Sequence, residues 1–227
     1  MKRHDASTLL AFIVLFLSQV TLAKPPLPVW RSGQLTFWNA ASAQGELAYN
    51  WSAEMVLLRL PTGQIRTYSA SQVRQFGWFD TNQHKQRTFV SLARKRVDEQ
   101  TAHGFYEVCL DGSLTVVRQL KRQRGWLSRS FHRPEQLIDT PELADLQEPF
   151  NYFVYDEGQF LTFERFFPDI YHPHMTSQSR ELDEFVLSHN LNARTILGQL
   201  ILVDRYNNLS KNGQQTASAR TSSPGSE

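Results

Sequence analysis

The stretch MVLLRLPTGQIRTY, Met55 to Tyr68, decides the class of this chain. Val56, Leu58 and Leu60 recur at every second position, then Pro61-Thr62-Gly63 interrupts, and a second run, Gln64 to Tyr68, follows. Side chains two apart in a strand share a face, so the first run presents an apolar side. Pro61 fixes its own φ and Gly63 accepts a positive one, so the tripeptide can reverse the chain and lay the runs together as an antiparallel hairpin.

Working outward, the same signal returns twice. Phe105 to Leu110 is joined to Leu114 to Leu120 through Asp111-Gly112-Ser113, and Asn151 to Tyr155 to Gln159 to Phe163 through Asp156-Glu157-Gly158. Gln34 to Trp38, Glu46 to Trp51, Phe76 to Phe79 and Arg87 to Ala93 add four further strands of ordinary length. Ser69-Ala70-Ser71-Gln72 has the spacing of a capping box and predicts one helical turn ending near Phe76.

After residue 178 the period lengthens. Leu182, Phe185, Val186 and His189 share a helical face that Asn190 can end, and Asn192 can cap a second helix carrying Ile196, Leu197, Leu200, Ile201 and Val203, weakened by Gly198. Phe163, Phe166, Phe167, Ile170 and Tyr171 have helical spacing too, with Pro168 favouring a short helix or one that starts there. The expected fold class is therefore α+β, a mainly antiparallel β-sheet body with two or three C-terminal helices, in one domain over residues 24–209. Residues 210–227 hold no aliphatic side chain larger than alanine and are expected to form a disordered tail.

Met1 to Ala23 reads as a cleaved signal peptide, with Lys2 and Arg3 ahead of an apolar run from Leu9 to Leu17 and small residues Thr21 and Ala23 before Lys24. Nine apolar residues fall short of the roughly 20 that span a bilayer as a helix, so no transmembrane segment is expected in the mature chain. The expected location is periplasmic or extracellular. A single cysteine excludes an internal disulfide framework and a multi-cysteine zinc site. Charge is nearly balanced overall but split: residues 83–133 carry 11 bases and 4 acids, residues 134–187 carry 12 acids and 2 bases.

Gly63, Arg66-Thr67-Tyr68, Ala70, Val73, Phe76 and Asp80, then Arg87-Thr88-Phe89, Phe105-Tyr106-Glu107-Val108, Gly112 and Leu114 form a pattern, which Asn190-Leu191-Asn192 and Tyr206-Asn207 extend. Over most of residues 45–209 it resembles uncharacterised exported proteins of Bacteroidetes. The resemblance implies a bacterial envelope or extracellular setting and brings no activity or site residues with it.

No GxSxG, HExxH, Walker A, GxGxxG or EF-hand pattern occurs. Cys109 sits in an apolar strand, where a buried inert thiol is the expectation. His172-Pro173-His174 with Asp169 is the weak metal candidate: in an extended segment alternate residues point two imidazoles one way. Trp51, Trp78 and Trp126 are candidates for a sugar platform, with core packing the default. The basic segment 118–133, with Arg118, Lys121, Arg122, Arg124, Arg129 and Arg133 among Trp126 and Phe131, could contact polyanions, although nucleic acid is not the expected partner of an exported chain. We therefore expect a non-catalytic protein, without a cofactor, that binds another envelope protein or polymer. The alternative is a hydrolase, metal-dependent through His172 and His174, and the third reading is a polyanion binder. Neither the ligand nor the oligomeric state is written in the sequence.

Overall fold

The computed structural model describes residues 28–95, 101–121 and 150–221. The decisive hairpin forms as read: β3 (Met55–Arg59) pairs with β4 (Ile65–Ser69) with Leu58 opposite Arg66, and Gly63 takes φ +81°. Around it lie β1 (Arg31–Phe37), β2 (Ser42–Asn50), β5 (Val73–Asp80), β6 (Lys85–Lys95), β7 (Thr101–Leu110), β8 (Thr115–Leu120), β9 (Phe150–Asp156) and β10 (Gln159–Thr162). All join one antiparallel sheet in the order β10-β9-β8-β7-β6-β5-β1-β2-β3-β4. At the last hairpin Asp156 pairs with Gln159, so the loop is only Glu157 and Gly158, both at positive φ, the two-residue geometry that suits the twist of flanking strands.

The link from β4 to β5 forces the sheet to coil. Ser69 and Val73 are joined through Ala70-Ser71-Gln72, a reach of roughly 14 Å at full extension. Between β4 and β5 lie three other strands, which in a flat sheet would separate them by roughly 19 Å. Gly33 sits at the curl: a Cβ there would lie 2.4 Å from the Gly77 carbonyl oxygen on the neighbouring strand. The helical turn expected at this link is replaced by a tight turn. Gln72 Oε1 does accept the Ser69 amide at 3.0 Å, the reciprocal half of a capping box, but Val73, Phe76 and Trp78 are drawn into the buried face of β5 before a helix can propagate.

Two α-helices follow, α1 (Ser179–Ser188) and α2 (Ile196–Thr221). The aromatic segment before them, Phe166–Met175, forms a wide π-type helix rather than an α-helix starting at Pro168. Pro168 falls in its first turn, where backbone N–H groups have no intrahelical acceptor to lose. Asn190, at φ +48°, ends the α1 region as expected. Thr195, not Asn192, caps α2: its Oγ1 accepts the Gly198 amide at 3.1 Å, while Asn192 Oδ1 accepts the Arg194 amide. Gly198 is required there, because a Cβ would meet the Asn192 carbonyl oxygen at 2.0 Å. α2 also continues to Thr221, into the segment expected to be a disordered tail. Helical backbone bonds are local and need no apolar anchor, so the composition of residues 210–221 bears on docking rather than on the helix itself.

Helices and sheet share one core. Phe76, Phe89, Phe105 and Phe150 from the strands pack with Phe166, Ile170, Met175, Leu182, Leu200 and Val203 from the C-terminal elements. The rings of Phe76 and Phe89 stack at 4.7 Å, with the Trp51 and Trp78 indoles against Phe89. Among the described residues no helix is long and apolar enough to cross a membrane.

Candidate functional site

Alternation along β5 to β9 brings charge to the apolar face. Asp80 follows Trp78, Arg87 precedes Phe89, Glu107 follows Phe105, and Arg118 lies between Val116 and Leu120, each two residues from an inward neighbour. Register sets Glu107 opposite Arg118, and Arg118 opposite Tyr152. Arg87 donates to both carboxylate oxygens of Glu107, from Nε at 2.8 Å and Nη2 at 3.1 Å, and Arg118 donates from Nε at 2.8 Å. Asp80 approaches Arg87 at 3.7 Å. Aromatic faces receive the guanidinium groups, Phe150 under Arg118 and Trp78 and Phe89 beside Arg87.

Burial alone would raise the Glu107 carboxyl, but Arg118 and Arg87 outweigh it and hold the group below the usual carboxylate range. The set is formally neutral, with two guanidinium groups against two carboxylates. A buried set of this kind specifies register more than it adds net stability, because desolvating the ions offsets much of their attraction.

Tyr152 connects this network to a cleft of about 360 Å³ between β9, β10 and the start of α2. Lys121, Thr162, Glu164, Arg194 and Gln199 line the cleft with it. Lys121, Glu164 and Arg194 are exposed, and none pairs within 4 Å with another described residue, so the cleft carries two cations against one carboxylate. Tyr152 and Gln199 are buried there, 4% and 7% exposed; among the described residues Gln199 Oε1 lacks a hydrogen-bond partner, and the Tyr152 hydroxyl has the Arg118 guanidinium beside it. Burial pushes the Tyr152 phenol up, against the smaller downward pull of the Arg118 charge and of the hydrogen bond Arg118 gives it, so it stays protonated and able to donate. An unpartnered buried polar group costs about 1–3 kcal/mol, so the Gln199 oxygen calls for a reason.

Of the residues singled out in the sequence, Lys121 lines the cleft and the other described ones lie elsewhere. His172 and His174 are on the π-type helix, where residues two apart face different ways, so the extended geometry behind the metal reading is absent. Asp169 is held by Arg165 through bonds of 2.7 and 3.0 Å. Among the described residues no group of three or more His, Cys, Asp or Glu side chains is placed to hold a metal ion. Cys109 is a bulge residue between the β7–β8 pairs Val108–Val117 and Leu110–Val116, and burial pushes its thiol up to about 12. Trp51 and Trp78 are core residues, each 6% exposed, and Trp126 lies outside the described residues. Arg118, first of the basic segment, belongs to the buried network, Lys121 reaches the cleft, and residues 122–133 lie outside the described residues.

Sequence reasoning missed Tyr152, Thr162, Glu164, Arg194 and Gln199. Gln199 carried a signal: it stands three residues after Ile196 and four before Val203, a polar side chain on an apolar helical face. Asp80, Arg87 and Glu107 were part of the resemblance pattern without a role, and a charge at an inward strand position was their signal.

No family model matches the chain, and neither a curated protein nor a solved structure matches it.

Proposed function

We propose that this chain is an exported, non-catalytic protein that binds an envelope component in the cleft between β9, β10 and the start of α2. One observation carries the reading: among the described residues Gln199 Oε1 is buried in the cleft lining without a partner, and Lys121, Arg194 and Glu164 stand at the same cleft with no ion-pair partner. A bound molecule is what such an arrangement accommodates. Two further facts support binding over catalysis. The thiol of Cys109 is pushed to about 12 and is not a nucleophile near neutral pH, and the His172–His174 segment does not form the side-by-side imidazole pair that the expected metal binding through these two residues would use.

Export rests on the apolar run Leu9 to Leu17 and the small residues Thr21 and Ala23, and places the mature amino terminus at Lys24. Amino-terminal sequencing from an exporting host tests that part. For the cleft, native mass spectrometry of protein taken from its own envelope without refolding is expected to show a bound mass in addition to the chain. Loss of that mass in a Tyr152→Phe, Gln199→Leu double variant supports the reading, and its retention there contradicts it.

A further inference from the structure

We infer that the occupant of the cleft is a small molecule bearing an oxyanion group, a carboxylate or a phosphate, together with at least one hydroxyl or amino donor. This rests on the reading of the cleft as a binding site and specifies its ligand. Lys121 and Arg194 reach the cleft from opposite elements, the end of β8 and the residues before α2, and neither has an ion-pair partner among the described residues. Arg194 brings a planar fork suited to an oxyanion, and Lys121 a compact point charge.

The Thr195 hydroxyl accepts the third amide of α2, at Gly198, and Ile196 at the start of that helix lines the same cleft, so the positive end of the helix lies near it. Behind them the protonated Tyr152 hydroxyl is a further donor, next to the Arg118 charge. Against these donors stand two acceptors, Gln199 Oε1 and the Glu164 carboxylate. A plain anion leaves both unanswered, whereas a ligand with a hydroxyl or amino group answers at least one. The network deeper in the sheet is not available for this purpose, since Glu107 already takes the donors of Arg87 and part of those of Arg118.

A matched pair of probes separates the two parts of the claim. Glycerol 3-phosphate and glycerol share hydroxyl donors and differ in the oxyanion, and inorganic phosphate supplies the oxyanion alone. Isothermal titration of the full chain at fixed ionic strength is expected to give binding in the order glycerol 3-phosphate, phosphate, glycerol. The Lys121→Gln, Arg194→Gln double variant, altered only at exposed positions, is expected to lose at least tenfold in affinity for glycerol 3-phosphate while keeping the wild-type melting temperature. Equal binding of glycerol and glycerol 3-phosphate, both weakened by Gln199→Leu, would overturn the oxyanion and leave the cleft standing. No binding of any probe, with no bound mass in native protein, would overturn both. Undiminished glycerol 3-phosphate affinity in the double variant would place the anion elsewhere and overturn the inference.

Discussion

Asn207 on α2 closes both hydrogen bonds of its amide on the backbone of Leu114, its Oδ1 accepting the Leu114 N–H at 2.8 Å and its Nδ2 donating to the Leu114 carbonyl at 2.9 Å. The pair joins the helix to the β7–β8 turn across 93 residues of chain, and Gly112 leaves the room, since a Cβ there would meet the Asn207 side chain at 2.6 Å. Helix α2, and with it one wall of the cleft, is fixed on the sheet by this contact.

Asn207→Leu should therefore cost about 2–6 kcal/mol, since it leaves the Leu114 amide and carbonyl unpaired in a buried setting, each at about 1–3 kcal/mol. Chemical denaturation measures the loss. Hydrogen exchange localises it, with the Leu114 amide expected to exchange much faster than its neighbours in β8.

The buried network sets a second expectation. Glu107→Gln removes the carboxylate bonded to both Arg87 and Arg118 and should cost about 3–5 kcal/mol, the range for breaking a buried ion pair from one side. The sign of the pH effect follows from the lowered Glu107 carboxyl. A folded value below the unfolded one gives stability that is present above about pH 4.3, the unfolded range, and is lost as pH falls through the folded value. Melting temperature against pH should show that acid-side loss in the wild type and a weaker one in the variant.

Gly198→Ala opposes two effects. Helix propensity favours alanine by about 1 kcal/mol, but the added methyl would lie 2.0 Å from the Asn192 carbonyl oxygen. The contact wins because its partner is backbone, so thermal denaturation is expected to show a net loss rather than a gain.

Gln199→Leu separates folding from binding. Replacing a buried amide whose oxygen is unpartnered by an apolar side chain of similar size should leave the melting temperature unchanged or raise it, because a desolvated orphan is removed. Ligand affinity should fall in the same variant. A purely structural Gln199 would show neither the combination nor the loss of bound mass.

Much of the fold is legible in the residues because it is written locally. The Pro61-Thr62-Gly63 turn and the alternation around it produce β3 and β4, and among the described residues ten strands arise where ten runs are read. The joining of β5 to β1 rather than to β4 is not local, since it follows from the coiling that the short Ala70-Ser71-Gln72 link imposes. Thr195 displaces Asn192 as a cap because the choice depends on how the loop folds over Gly198. The cleft was hidden for a similar reason. Lys121, Tyr152 and the Arg194 to Gln199 segment are far apart in sequence and carry no motif, and they meet through the pairing of β8 with β9 and the seating of α2. His172 and His174 had the more visible spacing, but spacing implies a shared side only in an extended chain.

The most direct measurement is a crystal structure of protein purified from its own envelope without refolding or extensive dialysis. The account predicts density for a small molecule in the cleft, with an oxyanion group between Lys121 and Arg194 and its body against the wall formed by Tyr152 and Gln199. A cleft holding only water, or one filled by the chain's own side chains with Tyr152 and Gln199 satisfied by them, would contradict it.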